Sequence, residues 1–146
     1  MEYATNPKAG FDYEILETIE AGLVLKGYEV RSIRTGKISI KGAYVRILNN
    51  QAYIIGAVIA PYQPKNMPVG YNEQADRKLL LTKKQLATLI GLSQSHGVTL
   101  VPLKLYNKKG RIKLLIGVAK GKKKYDKRET LKKKDIARAK QRGMDE

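Results

Sequence analysis

Alternating apolar and polar residues predict that an early ordered element of this chain is a β-strand. Within residues 11–25, Phe11, Tyr13 and Ile15 alternate with acidic side chains, a pattern typical of a half-buried strand. The small pair Ala21–Gly22 interrupts the pattern, so we expect a bend there before a second apolar stretch.

Two hairpins follow from the same period of two. Segments 43–48 and 51–60 are rich in β-branched and aromatic residues and flank Asn49–Asn50, a pair that favours a tight turn. Segments 98–106 and 111–119 flank the turn sequence NKKG in the same way. Both hairpins predict antiparallel pairing.

Two other segments have helical spacing instead. Residues 28–35 change from the period of two, and Gly36 after them is a natural helix end. Thr82 and Gln85 fit a capping box, in which each side chain bonds the backbone amide of the other. We expect the helix that follows to end at Gly97.

These elements predict a mainly β fold of about six antiparallel strands with two or three short helices. Residues 61–76 contain three prolines and predict an exposed loop, after which Leu79–Leu81 begins the next ordered element. A sheet this small hides its edges most simply by closing, so we expect a small closed barrel of oligonucleotide-binding (OB) type. A two-layer α+β sandwich is the alternative architecture.

Charge divides the chain into two parts. The sequence holds 29 basic and 13 acidic residues, a net charge of +16, and this excess predicts a polyanionic partner. Because residues 120–142 are far more basic than the rest, we predict a domain at 1–119 and a basic tail at 120–146. Nucleic acid is the favoured partner and a membrane is not, since the tail lacks the apolar face that membrane binding requires.

The tail is too poor in apolar residues to fold by itself, and its lysines repel one another. Residues 127–142 are nevertheless good helix formers, and Asp126 with Glu129 matches a helix-capping pattern. We therefore expect a tail that is disordered alone and helical when phosphates neutralise it. A generic basic tail is the alternative, but it would require neither Tyr125 nor the capping acid beside it.

The sequence contains no convincing catalytic pattern. It has no cysteine, a single histidine (His96) and no P-loop. Asp12 and Glu14 would share a strand face, but no third ligand accompanies them, so we do not predict a metal site. We predict a protein that is not an enzyme, with no cofactor and no small-molecule substrate. The strand tyrosines are predicted to pack in the core or across strands: Tyr13, Tyr44, Tyr53 and Tyr106.

Four stretches, in this order along the chain, carry a specific family resemblance. They are NPKA (6–9), DYEILETIEAGLVLKGYEVRSIRTGK (12–37), RKLLLTKKQL (77–86) and LVPLKLYNKKGRIKLLIGVAKGKKKYDKRE (100–129). Over nearly its whole length the chain resembles the SsrA-binding protein family, also called small protein B, the partners of transfer-messenger RNA (tmRNA). The segment GVAKGKKKYDKRE directly after a hairpin is the most specific of these matches.

The resemblance implies an OB-type barrel and one non-catalytic role in the bacterial cytoplasm. The protein would act as a monomer that carries alanylated tmRNA to a ribosome stalled on a message without a stop codon. Its body would bind the tRNA-like domain of tmRNA, and its tail would enter the empty mRNA channel as a helix that contacts small-subunit rRNA. A ribosomal or rRNA-binding structural protein with the same barrel and a permanent basic tail is the alternative.

The resemblance assigns RNA contacts in the body to Asn6, Glu20 and Leu80. A carboxylate such as Glu20 accepts from base or ribose donors, which lysine cannot do, whereas Leu80 is also interpretable as a core residue. Further phosphate contacts are predicted from charge at Arg34, Lys37, Arg77 and Lys78.

In the tail, the resemblance implies a motif that contacts the decoding centre of the ribosome. Tyr125 would stack on an rRNA base or on the helix stem, Asp126 would cap the tail helix, and the basic residues would meet rRNA phosphates. The matched positions are Lys120, Lys122, Lys123, Tyr125, Asp126, Lys127 and Arg128. The chain departs from the family at Pro7 and Gly42–Ala43, and its acidic end at 143–146 leaves the length of the tail helix open.

Overall fold

The computed structural model describes residues 2–63, 65, 67–95 and 97–121, and these residues form nine strands and three helices. The strands are β1 (Glu2–Thr5), β2 (Tyr13–Leu23), β3 (Ile38–Ser39), β4 (Tyr44–Leu48), β5 (Gln51–Ile55), β6 (Val58–Ile59), β7 (Arg77–Leu80), β8 (Val98–Lys108) and β9 (Arg111–Gly121). The helices are α1 (Pro7–Asp12), α2 (Gly27–Arg34) and α3 (Lys83–Ser93). The prediction of a mainly β chain is confirmed.

Seven strands form one antiparallel sheet in the order β1-β8-β9-β2-β7-β5-β4, and β3 pairs with β6 in a separate ladder. The sequence pattern missed β1 and β3, and it joined β6 to β5 as one hairpin arm. These three strands have four residues or fewer, too few to establish a period of two. The antiparallel prediction is confirmed.

The first long strand begins later than its pattern predicted. Phe11 and Asp12 belong to α1, because Pro7 lies in the first turn of that helix and its fixed φ favours a helical start. The strand then runs without interruption through Ala21–Gly22, so the predicted bend is absent. Its register shift lies between Ile15 and Glu17 instead.

Both predicted hairpins are confirmed. Asn49 and Asn50 have φ values of 50° and 59°, the pair of left-handed residues that a two-residue turn between β4 and β5 requires. Lys109 and Gly110, with φ values of 50° and 78°, connect β8 to β9. The second arm of the first hairpin is shorter than predicted, because Gly56 at φ 85° ends β5 and the chain leaves to pair with β3.

Both predicted helices are confirmed, but α3 ends at Ser93 with Gln94 as its C-cap and not at Gly97 as predicted. Gly36 follows α2 with a φ of 82°, the conformation that favours glycine. At the start of α3, the Gln85 amide donates to Oγ1 of Thr82 at 3.1 Å and the Thr82 amide donates to Oε1 of Gln85 at 3.0 Å. This reciprocal pair is the predicted capping box.

The larger of two apolar clusters joins the two ends of the sheet. Ile54 of β5, Leu114 of β9, Ile33 of α2 and Leu89 of α3 are all buried in it. Strand β4 lies against β8 although four strands separate them in the hydrogen-bonded order, so the sheet is strongly curled. Within the described residues no ladder joins β4 to β1, and the predicted barrel closure is not established by hydrogen bonding.

Candidate nucleic-acid interface

One face of the curled sheet carries three of the predicted RNA-binding residues, Glu20, Lys78 and Leu80. Tyr106, Lys113, Gly22 and Leu80 form a line across β8, β9, β2 and β7, because each is the cross-strand partner of the next. We call this surface the basic sheet face. Its residues are Glu20, Gly22, Arg46, Tyr53, Lys78, Leu80, Lys104, Tyr106, Lys108, Arg111 and Lys113.

Glu20 is the one acid in this set, and two neighbours hold its carboxylate. The Tyr106 hydroxyl donates to Oε2 of Glu20, and the Lys108 ammonium lies 3.1 Å from Oε1 and 3.3 Å from Oε2. Hydrogen bonds from Tyr106 and Lys108 lower the pKa of the Glu20 carboxyl. Burial and the bond to Glu20 raise the pKa of Tyr106 to about 12. At neutral pH the face therefore presents an ionised acceptor in a fixed position.

Leu80 is not a core residue, which was the alternative interpretation of its role. Its side chain is 52% exposed, and it crosses the sheet surface beside Gly22. A Cβ at Gly22 would lie 3.3 Å from the Cβ of Leu80 and 3.6 Å from Nζ of Lys113. Glycine at position 22 therefore leaves room for an apolar side chain and a cation to lie next to each other.

Arg34 and Lys37 are both exposed, and they lie in different places. Arg34 donates from Nη2 to the carbonyl oxygen of Gly110 at 2.9 Å, which joins α2 to the turn between β8 and β9 beside Arg111. Lys37 donates to the carbonyl oxygen of Tyr62 at 3.2 Å, at the start of the 61–76 loop. Arg34 thus borders the basic sheet face, whereas the contacts of Lys37 are with the loop.

Arg77 is wrongly predicted as a phosphate contact. The residue is 4% exposed, and its Nε lies 2.7 Å from Oε2 of Glu29, which is also buried. Its remaining donors are directed at backbone carbonyl oxygens, those of Ala57 at 3.0 Å, Ala75 at 2.8 Å and Glu73 at 3.0 Å. Arg77 therefore stabilises the fold around the loop and is not accessible to RNA.

Comparison with known proteins identifies the family. A family model described as SmpB protein matches residues 3–146. The chain belongs to the SmpB family. A protein named SsrA-binding protein from Enterococcus faecalis is 51% identical over 135 residues, which cover 92% of this chain and 87% of that protein. Its namesake from Thermosynechococcus vestitus is 46% identical and covers 95% of this chain and 91% of its own length.

A solved structure provides an independent match to the SmpB fold. A chain from the structure described as "tmRNA-SmpB: a journey to the center of the bacterial ribosome" superposes with a TM-score of 0.66 and 45% sequence identity. The match covers 82% of this chain and 84% of that one. Identity and fold therefore agree over most of the length of the chain.

The SmpB match includes the basic tail, but most of the predicted tail motif lies outside the described residues. Lys120 is described and belongs to β9, opposite Val98 and Glu14. The predicted boundary between 119 and 120 thus falls inside a strand that continues to Gly121. Lys122, Lys123, Tyr125, Asp126, Lys127 and Arg128 lie outside the described residues, as does His96.

Asn6 is the N-cap residue of α1 and does not belong to the line of residues that crosses the basic sheet face. Its side-chain Nδ2 donates to the carbonyl oxygen of Pro102 at 3.0 Å, and its backbone amide donates to the carbonyl oxygen of Leu103 at 2.9 Å. Asn6 also lines a cavity of about 480 Å³ with Lys8 and Tyr44. Its visible role is to attach the start of α1 to β8.

Several predictions about other side chains need correction or addition. Tyr44 is 45% exposed and is the cross-strand partner of Ile55, so of its two predicted placements only the cross-strand one fits. Asp12 ends α1 while Glu14 lies in β2, so they do not share a strand face. The described residues contain no group of three metal-ligating side chains.

Sequence reasoning missed Lys104 and Lys108 as residues of the basic sheet face. The period of two across Lys104, Tyr106 and Lys108 was the signal that places them on one face.

No helix in the described part of the chain is both long and apolar enough to cross a membrane.

Proposed function

We propose that this SmpB-family protein binds the tRNA-like domain of tmRNA through its basic sheet face. We propose further that it delivers that RNA to stalled ribosomes for trans-translation. The relatives named SsrA-binding protein and the ribosome-bound tmRNA–SmpB structure support this function. The observation that carries it is the Glu20 carboxylate, which Tyr106 and Lys108 hold ionised inside a cationic surface.

Physical chemistry gives the two kinds of side chain on this face different tasks. Lysines and arginines neutralise phosphates and release counterions, so they provide affinity for any RNA. A fixed carboxylate accepts hydrogen bonds from base amino groups or ribose hydroxyls and repels phosphates, so it selects a particular placement of the RNA. The side chains that provide affinity are Arg34, Arg46, Lys78, Lys104, Arg111 and Lys113.

The basic tail would act on the ribosome and not on tmRNA. Its net charge suits rRNA phosphates, and the SmpB family match runs through it to residue 146. We propose that it occupies the empty mRNA channel and decoding centre as a helix. Tyr125 would stack and Asp126 would cap that helix, while Lys120, Lys122, Lys123, Lys127 and Arg128 would contact phosphates.

For the body we propose an OB-type barrel that ends near Gly121, followed by the tail. The approach of β4 to β8 across the core supports closure. We propose that the protein works as a monomer in the bacterial cytoplasm, where its ribosome lies. We also propose that it acts without catalysis, metal or cofactor, because binding and delivery require only complementary surfaces.

The experiment that tests this function measures binding of the full chain and of residues 1–121 to the tRNA-like domain of tmRNA, with ordinary tRNA as competitor at several salt concentrations. We expect residues 1–121 to keep most of the affinity and the preference for tmRNA. Glu20→Gln should reduce that preference by roughly 10- to 100-fold, since a hydrogen bond to an ionised acceptor is worth about 1.5–3 kcal/mol. Glu17→Gln, an exposed acid on the same strand, is the matched control.

Two results would contradict the proposal. Binding that does not distinguish tmRNA from tRNA and disappears with the tail would make the lysines a general RNA-binding surface. Stoichiometric binding to bare rRNA in preference to tmRNA would favour a structural protein of the ribosome.

A further inference from the structure

A cleft of about 630 Å³ opens next to the basic sheet face, between the 61–76 loop, the start of α2 and strands β5 and β7. We call it the Tyr53 cleft, because Tyr53 belongs both to its lining and to the basic sheet face. Its volume is within the range of small-ligand sites. The other residues that carry the argument are Val24, Lys26, Val69, Tyr71 and Lys78.

The far wall of the cleft is preformed and aromatic. The Tyr28 and Tyr71 rings meet edge to face with their centroids 5.4 Å apart. The Tyr71 hydroxyl donates to the carbonyl oxygen of Ile59 at 2.8 Å, which fixes the ring. Below it, the buried Arg77 bonds the carbonyl oxygens of Glu73 and Ala75. A ligand that enters the cleft would therefore contact a wall that is already ordered.

The mouth of the cleft presents apolar side chains to solvent. Val69 is fully exposed at the corner of a turn. Gly70 adopts a φ of 81° in this turn, and the Tyr71 amide donates to the carbonyl oxygen of Pro68 at 3.2 Å. Val24 is 50% exposed on the opposite side. Covering these two apolar side chains with a flat, apolar ligand face would stabilise the complex, because it removes apolar surface from water.

The charges at the mouth indicate what kind of ligand that is. Tyr53 lies between Arg46 and Lys78 as their cross-strand partner, so its ring is flanked by two cations. Lys26 is exposed at the other rim. An aromatic platform with cations on either side is the arrangement that binds unpaired nucleotides, the ring stacking on the base and the cations meeting the phosphates.

We infer that the Tyr53 cleft receives one unpaired nucleotide of the RNA that covers the basic sheet face. Its base lies against Tyr53 and Val69, and its phosphate lies near Lys26 or Lys78. This inference rests on the proposed function, because Lys78 and Tyr53 make the cleft continuous with that face. A peptide partner fits less well, since the two exposed lysines that line the cleft, Lys26 and Lys78, outnumber its one exposed acid, Asp76.

A tryptophan reporter tests the inference in the full chain, which contains no natural tryptophan. In Val69→Trp protein, a single-stranded adenosine hexamer should quench the fluorescence saturably, because a base stacks on the new ring. Leu16→Trp reports general RNA binding from an exposed site on β2 outside the cleft. Adding Tyr53→Leu to Val69→Trp should weaken the quenching affinity roughly tenfold. Adding Lys78→Gln should weaken it a few-fold, whereas Lys83→Gln on α3 should leave it unchanged.

The outcomes separate this inference from the proposed function. Equal quenching at positions 69 and 16, or no effect of Tyr53→Leu and Lys78→Gln in folded protein, would overturn the nucleotide site. A shift of the Val69→Trp emission with protein concentration in the absence of RNA would also overturn it, since the cleft would then be an interface between copies of this chain. Selective, Glu20-dependent binding of tmRNA alongside either result would leave the proposed function standing.

Discussion

At the scale of single residues, the pair formed by Glu20 and Tyr106 fixes the position and the charge of the one carboxylate on the basic sheet face. The carboxylate accepts from Tyr106 and Lys108, which lowers its pKa, so it stays charged well below neutral pH. Burial and that same carboxylate raise the pKa of the Tyr106 hydroxyl. Each group thus favours one protonation state of the other, an ionised Glu20 and a neutral Tyr106.

This coupling predicts a measurable change in the titration of Tyr106. Its pKa of about 12 in the folded protein lies above the ordinary value of 10.0. The stabilising contribution of the neutral hydroxyl is therefore fully present below pH 10 and lost as the pH rises through 12. In Glu20→Gln protein the negative neighbour is gone, so we expect the pKa of Tyr106 to fall toward 10, measured by NMR of the tyrosine ring carbon.

The matched control for that titration is Glu17→Gln, which removes an exposed acid from the same strand without touching Tyr106. It should leave the pKa of Tyr106 unchanged. An unchanged pKa in Glu20→Gln as well would mean that burial alone raises it, and that the hydrogen bond to Glu20 contributes little.

At the scale of elements, local signals predicted the hairpins and helices, and nonlocal pairing decided the rest. The turn at Asn49–Asn50 and the capping box of Thr82 and Gln85 depend only on neighbouring residues, so the sequence was sufficient to predict both. Arg77 is different, because its burial depends on β7 being inserted between β2 and β5. The spacing of two residues between Arg77 and Leu79 was a usable signal for that burial, because residues two apart in a strand share a face. Both lie on the buried side of the strand, and Lys78 and Leu80 lie on the exposed side.

The limits of the sequence are clearest at the functional face. The basic charge and the family resemblance identified Glu20, Lys78 and Leu80. The line that joins Tyr106, Lys113, Gly22 and Leu80 follows from strand register, which is set by long-range pairing and not by the local period. For the same reason the closure of the sheet was inferred from its small size and not from any residue pattern.

The buried ion pair between Arg77 and Glu29 predicts a large loss of stability on truncation. Arg77→Ala leaves the buried Glu29 carboxylate without its charged partner and removes the donors to Ala57, Glu73 and Ala75. We expect the free energy of unfolding in urea to fall by about 3–5 kcal/mol. The exposed neighbour Lys78→Ala should change it by no more than about 0.5 kcal/mol. Equal, small effects of the two substitutions would show that Arg77 does not anchor the loop.

At the scale of the whole molecule, the proposed division into body and tail falls at the end of β9. Gly121 pairs with Tyr13 at the edge of the region that α1 covers, and the strongly basic sequence begins directly after it. The Glu20 carboxylate is therefore held on an ordered sheet, whereas the sequence after Gly121 is strongly basic and contains few apolar residues. This arrangement suits the two steps of the proposed function, selection of tmRNA by the body and insertion of the tail into the ribosome.

That division of labour predicts that binding and tagging can be separated. Tyr125→Ala with Asp126→Ala removes the ring that we propose stacks and the acid that we propose caps the tail helix, while leaving every lysine of the tail in place. We expect affinity for tmRNA to stay within about twofold, because the phosphate contacts that dominate it are unchanged. Peptide tagging on stalled ribosomes should be abolished, since the tail helix would lose both its cap and its stacking contact.

A control double variant, Gln141→Ala with Met144→Ala, changes the same number of tail residues outside the predicted motif and should tag normally. Adding Glu20→Gln to the first pair separates the two steps further, because it should weaken tmRNA preference without restoring tagging. If Tyr125→Ala with Asp126→Ala reduced tmRNA affinity and tagging by the same factor, the tail would take part in binding tmRNA itself. The body and the tail would then form one continuous RNA-binding surface.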